Sequence, residues 1–161
     1  YIDASAGNII SVQNGYLWVY PDSNIIEYKS NIALTKDAEK IYPKSFRTKL
    51  PKKIKHYEFI GSSDFAFYYD KNQVIFIKIN LENNDPVSDA SHRPSLDELN
   101  NFIQKLSTGN NKKHNIKEIT TDARRVNKII TRGDARILLY NVLKKNEDLF
   151  STYLNTFIFL D

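Results

Sequence analysis

An acid, a hydroxyl and an imidazole stand together in Asp89-Ala90-Ser91-His92, the three residue types of a nucleophilic triad. Their spacing argues against that chemistry, because triad members meet face to face from separate elements and not as neighbours in one loop. The three histidines, His56, His92 and His114, are far apart, with no His-X-X-X-His or His-Glu pair, so no metal site is expected. The absence of cysteine removes disulfides, zinc ribbons and thiol catalysis together. Five glycines form no Gly-rich phosphate loop. No catalytic residue and no cofactor is assigned, and an enzyme with a site built from scattered residues ranks third among the functional readings.

Two basic segments carry the other chemistry. Lys44, Arg47, Lys49, Lys52, Lys53 and Lys55 follow one another with no acid from 44 to 57. Tyr42, Phe46, Tyr57 and Phe59 interleave them, the composition of a single-strand nucleic-acid surface. No RNP-type motif accompanies these aromatics. The same stretch suits a solvated loop before an edge strand, where Lys and Pro discourage edge-to-edge pairing. Further on come Arg124, Arg125, Lys128, Arg132 and Arg136. On one continuous helix, positions 124, 128, 132 and 136 would make a stripe suited to phosphates. Gly133 and Asp134 interrupt that helix, and the apolar residues that hold a DNA-reading helix pair together are missing around the turn. The segments 44–55 and 112–136, with Lys49, Lys52, Lys53, Arg124, Arg125 and Lys128 as binding residues, define a nucleic-acid alternative. The two are not expected to form one continuous track. Arg132-Gly133-Asp134 matches the tripeptide read by integrins, and a helix-breaking turn accounts for it fully.

A third constellation is aromatic. Tyr16, Trp18 and Tyr20 share one face of a strand, with Leu17 and Val19 on the other. That face reads either as core with polar tips at its rim or as a recognition surface, since Tyr and Trp dominate binding hot spots.

The elements that must position these residues change character at 83–95, Asn-Asn-Asp-Pro-Val-Ser-Asp-Ala-Ser-His-Arg-Pro-Ser. Before it, β-branched and aromatic runs alternate with turn signals. Ile9–Val12 and Tyr16–Tyr20 flank Gln13-Asn14-Gly15, a hairpin signal, and Pro21-Asp22-Ser23-Asn24 turns the chain into Ile25–Lys29. Phe65–Tyr69 and Val74–Leu81 flank Asp70-Lys71-Asn72-Gln73, with Ile75, Ile77, Ile79 and Leu81 on one face and Lys78 on the other. Ile54–Ile60 reads as one more strand and Thr35–Tyr42 as a short helix. The short connections predict one antiparallel sheet of about five or six strands. After the break, Ser95-Leu96-Asp97-Glu98 is a capping box, and Leu96, Leu99, Phe102, Ile103 and Leu106 mark one helical face ending at Gly109. Thr121–Ile130 and Ala135–Lys145 read as two further helices. The competing reading is a hairpin, Val126–Thr131 and Ala135–Tyr140, which periodicity does not exclude for such short runs. Thr156–Leu160 reads as a strand returning to the sheet.

Tyr69-Asp70-Lys71-Asn72 followed by an apolar strand resembles the repeats of the bacterial DKNYY family over about a dozen residues, once. That resemblance implies no biochemical activity.

A chain of 161 residues is one domain by the usual prior. No run of eighteen apolar residues predicts a transmembrane helix. A chain that starts at Tyr1 and holds no methionine reads as a processed or trimmed product, secreted, periplasmic or cytoplasmic. Heavy use of Asn, Lys and Ile suggests an AT-rich bacterial or viral genome. Residues 1–90 carry 11 Lys+Arg against 11 Asp+Glu, and residues 91–161 carry 12 against 8, so the net +4 belongs to the second half. The expectation is one α+β domain over 1–161: β-rich over 1–82, a loop at 83–95 and helix-rich over 96–150. An N-terminal antiparallel sheet carries C-terminal helices on one face. The leading functional reading is a non-enzymatic module that binds another protein, such as a small bacterial immunity, adaptor or secreted or periplasmic interaction protein, with Tyr16, Trp18 and Tyr20 among its candidate contacts. Neither metal nor cofactor is expected.

Overall fold

Short runs of β-branched and aromatic residues pair into strands throughout the computed structural model, which describes residues 2–3, 7–12, 15–20, 25–30, 45–60, 64–79, 89–106 and 123–160. The strands are β1 (Ile2–Asp3), β2 (Gly7–Val12), β3 (Gly15–Tyr20), β4 (Ile25–Ser30), β5 (Phe46–Lys49), β6 (His56–Ile60), β7 (Asp64–Tyr68), β8 (Val74–Ile79), β9 (Ala90–His92), β10 (Arg125–Arg132), β11 (Ala135–Leu143) and β12 (Ile158–Phe159). Two helices join them, α1 (Leu96–Leu106) and α2 (Glu147–Leu154). The architecture is α+β with antiparallel sheets, as expected. There are two sheets rather than one, ordered β1-β2-β3-β4-β5-β12 and β6-β7-β8-β11-β10-β9. The hairpin signals in the first half all lie between paired neighbours: β2 with β3, β3 with β4, β6 with β7 and β7 with β8. The helix expected at 35–42 lies outside the described residues.

The faces of the two sheets meet in one core. Leu17, Ile26, Tyr28 and Phe46 come from the first sheet, and Phe65, Phe67, Ile75, Ile77, Ile79, Ile130, Ile137 and Leu139 from the second. Phe46 is the hub, its ring 5.6 Å from Tyr28, 5.4 Å from Phe65 and 4.9 Å from Phe157. Phe150 and Leu154 of α2 and Phe157 close this core at its side. The other face of the second sheet carries Ala66, Val74, Phe76, Ile129, Leu138 and Tyr140, and α1 covers it with Leu99 and Phe102. The inner strands of the second sheet, β7, β8, β11 and β10, are therefore covered on both faces. These strands consequently read as continuous apolar runs rather than a strict alternation.

That double burial explains the main correction. The described residues 123–145 do not hold two helices but the competing hairpin: β10 and β11 pair with Arg132 opposite Ala135 and Ile130 opposite Ile137. Val126 and Ile130 face one side and Ile129 the other, so apolar residues recur at helical intervals although the backbone is extended. Gly133 turns the hairpin at φ 56°, where glycine carries no side-chain penalty. A β-carbon there would sit 3.3 Å from Phe159 Cε2. Among the described residues of 96–150, α-helix is found at α1 and, from 147, at α2, whose existence the sequence reading had not anticipated.

α1 begins as expected. The Glu98 N–H donates to Ser95 Oγ at 3.2 Å and the Leu99 N–H to Ser95 O at 2.9 Å. The Glu98 carboxylate meets His92 Nε2 at 2.8 Å. Leu96 stays exposed. Lys78 lies on the face opposite Ile77, as expected, and is half-buried there, because α1 covers that side of the sheet; its ammonium reaches the buried Asp64 carboxylate at 3.3 Å. β12 joins the first sheet, pairing Phe159 with Phe46.

Candidate functional site

The link between β7 and β8 is a tight 3-10 turn, Asp70–Asn72, and it is conformationally costly. Lys71 has φ 60° and Asn72 φ 62°, left-handed values at about 1–3 kcal/mol each for residues with a β-carbon. Among the described residues, the other non-glycine positions with positive φ are Lys53 and Asn141. Asn141 is tied directly to this turn and Lys53 lies near its Asp70, so one end of the second sheet gathers the left-handed backbone.

A hydrogen-bond frame holds that backbone in place. Arg125 Nη1 donates to the carbonyls of Lys71, at 2.6 Å, and Asn141, at 3.0 Å. Asn141 Nδ2 donates to the Asn72 carbonyl at 3.1 Å, and the Asn141 N–H donates to Asn127 Oδ1 at 2.8 Å. Gln73, only 5% exposed, is the central tie. Its Nε2 donates to the Asp70 carbonyl at 3.0 Å, while its Oε1 accepts from the Leu143 N–H and from Asn146 Nδ2, both at 3.0 Å. The Lys144 N–H donates to the Arg124 carbonyl at 2.8 Å and fixes the end of β11 against the start of β10. Beneath the turn, the buried Tyr69 hydroxyl donates to the Pro51 carbonyl at 2.9 Å, and burial pushes its pKa well above the usual tyrosine range.

On this frame lies an open cavity of about 400 Å³, lined by Lys71, Ala123, Arg124, Leu143, Lys144 and Lys145. Its walls are Ala123, Leu143 and four cationic residues with long aliphatic stems, and among the described residues no carboxylate lines it. The nearest turn acid, Asp70, pairs with Lys55. Its carboxyl is held below the usual aspartate range, first by the Lys55 hydrogen bond and then by the fields of Lys55, Lys53 and Lys71. A concave surface of one sign raises the local concentration of anions and steers them inward.

The candidate residues from the sequence divide among several places. Lys55 and Arg125 both close on the 70–72 turn, and Lys53 acts on its Asp70, so the inner ends of the two basic segments meet at this turn. Arg124 lines the cavity. Arg125 serves the frame, its guanidinium engaged by two carbonyls. Lys52 is exposed on the approach to β6. Lys49 stands in β5 of the first sheet, its N–H donating to Thr156 Oγ1 at 2.9 Å. Lys128 is turned to α2, donating to Ser151 Oγ at 3.1 Å. Trp18 is half-buried in β3 and belongs to neither core cluster; Tyr16 and Tyr20 stand in the same strand, opposite Lys29 and Ile25 in register. Sequence reasoning missed Lys71, Lys144 and Lys145, which sit outside both basic runs and are joined to Arg124 only by the pairing of distant strands.

The remaining motifs serve the fold. Asp89 accepts from the Gly133 N–H at 2.9 Å and pairs with Arg132 at 3.2 Å, whereas His92 faces Glu98, so acid and imidazole point to different partners. His56 meets Glu58 at 2.9 Å. Arg132 also donates to the Phe157 carbonyl, folding the Arg-Gly-Asp turn back onto the protein. Among the described residues, no three His, Cys, Asp or Glu gather in a way that would hold a metal ion, and no helix is long and apolar enough to cross a membrane. This end of the second sheet gathers Lys71, Arg124, Lys144 and Lys145 around an apolar hollow. No family model matches the chain, and neither does any curated protein or solved structure.

Proposed function

We propose that the protein is a non-enzymatic module that binds another protein, and that its contact surface is the basic end of the second sheet. The observation that carries this reading is the cavity rimmed by Lys71, Arg124, Lys144 and Lys145 on a hydrogen-bonded frame. Three physical points support it. A frame already locked in left-handed backbone loses little further freedom on binding. Charge complementarity speeds encounter with an acidic partner and penalises partners of the wrong sign. The hollow between the cations offers apolar surface, which a purely electrostatic track does not need. A small bacterial immunity or adaptor protein, or a secreted or periplasmic interaction protein, fits this description.

The second reading, a nucleic-acid-binding module, is favoured by one observation: Lys53, Lys55 and Arg125 converge on the 70–72 turn. Two others weigh against it. Among the described residues no aromatic side chain lines the cavity, so they offer no stacking platform for single-stranded bases. Lys49 and Lys128 are held on other elements and do not extend the patch into a phosphate track.

Charge reversal separates the two readings. The double variant Lys144→Glu, Lys145→Glu changes two exposed side chains. The wild type should bind labelled poly-glutamate at low salt and the variant should not. Neither should bind a single-stranded or duplex oligonucleotide more tightly than about 100 μM at physiological salt. Micromolar oligonucleotide binding that the double variant abolishes would replace the protein-partner reading with the nucleic-acid one.

A further inference from the structure

We infer that the cavity seats one apolar side chain of an acidic segment of the partner, with the flanking carboxylates meeting the cations on its rim. This rests on the protein-binding reading and specifies what the surface recognises. Floor and rim differ in chemistry. Ala123, Leu143 and the lysine stems supply carbon, and the charged heads of Lys71, Lys144 and Lys145 form no ion pair among the described residues. A volume of about 400 Å³ holds a leucine-sized side chain together with the backbone that carries it. The backbone that carries the walls is held in place by the Lys144 N–H bond to the Arg124 carbonyl at 2.8 Å and the Leu143 N–H bond to Gln73 Oε1 at 3.0 Å. Asp70, the one acid on the adjoining turn, is paired with Lys55 and does not line the hollow. A segment with only carboxylates would leave the carbon floor wet, and a nucleic acid would bring bases to a wall with no aromatic face. An apolar residue flanked by Asp or Glu satisfies both floor and rim.

Three labelled probes test this by fluorescence anisotropy with the full chain: a nine-residue peptide of alternating Asp and Glu with leucine at its centre, its twin with serine there, and a nine-nucleotide oligo-dT of equal charge. The leucine peptide should bind at least ~10-fold more tightly than the serine peptide, the ratio expected for one buried leucine side chain. Ala123→Phe fills the hollow from an exposed turn position, so it should erase the leucine preference, the two peptides then binding within about twofold of each other. Lys144→Glu, Lys145→Glu should abolish binding of both peptides, with the thermal midpoints of both variants near the wild type's. Equal affinity for the two peptides in the wild type overturns the apolar seat while the protein-binding reading stands. A leucine preference that survives Ala123→Phe places the apolar contact elsewhere and also overturns the inference. Oligo-dT binding more tightly than either peptide, or no binding of any probe, overturns the protein-binding reading along with it.

Discussion

Gln73→Leu nearly keeps the side-chain volume at a buried position and deletes three hydrogen bonds, one within the turn and two that join it to a segment some seventy residues away. The cost follows from what each former partner does next. The Asp70 carbonyl sits on an exposed turn and recovers its bond from water. Asn146 is half-buried, and its amide recovers part of its bonding. The Leu143 N–H, at the end of a strand buried on both faces, is left as an orphan donor at about 1–3 kcal/mol. With a partial loss at Asn146, the total is about 2–3 kcal/mol. For a protein of this size that lowers the midpoint by roughly 4–12 °C. Urea melts followed by far-ultraviolet circular dichroism measure the loss, and amide exchange at Leu143 locates it. Because Leu143, Lys144 and Lys145 form one wall of the cavity, poly-glutamate affinity should also fall in this variant, although no residue lining the cavity has changed. A loss below about 0.5 kcal/mol, or an unchanged exchange rate at Leu143, would show that the frame does not depend on Gln73.

The remaining expectations concern the core and the turn. Ile77 is fully buried between the sheets, and Ile77→Ala should cost about 2–5 kcal/mol in a denaturant melt. Lys78→Ala should cost about 1–3 kcal/mol, because it leaves the buried Asp64 carboxylate without its ammonium; a neutral result would mean that the ion pair contributes nothing. Asp70 titrates below its ordinary value, so its contribution to stability is present above the unfolded carboxylate pKa and is lost as pH falls through the lowered folded one. Lys55→Ala removes the first cause of that shift, and a carboxyl NMR titration should find Asp70 moved back up; an unmoved titration would assign the shift to Lys53 and Lys71 alone.

Local signals in the sequence translated into local structure. Asp70-Lys71-Asn72-Gln73 and the Asn14-Gly15 pair announced strand reversals, and Ser95 with Glu98 announced the start of α1. Misreading began where burial erased the strand period. Val126, Ile129 and Ile130 serve two faces of a covered sheet, so their spacing imitates a helix, even though Arg132-Gly133-Asp134 marks the turn. The division into two sheets depends on β8 pairing with β11 and β5 with β12, contacts that no short window of sequence encodes. The basic segments were legible as composition. Their junction was not, because it depends on a left-handed turn at Lys71 and on Arg125 reaching it from 54 residues away. Lys71, Lys144 and Lys145 belong to no charge run long enough to draw notice.

The strand orders constrain when the protein is able to fold as it leaves the ribosome. The β6-β7-β8 hairpins emerge early, yet their next neighbour, β11, begins at residue 135. The first sheet waits longer still: β5 stands beside β12, and the Phe157 ring that stacks on Phe46 is made 111 residues after it. Throughout that interval Phe46, Phe65 and Ile77 lack the cover they have in the finished core. Pairings this distant in sequence slow folding. Synthesis therefore leaves an aromatic-rich nascent chain without its final cover until the last strand arrives, a period in which its apolar surface and unpaired strand edges are open to aggregation.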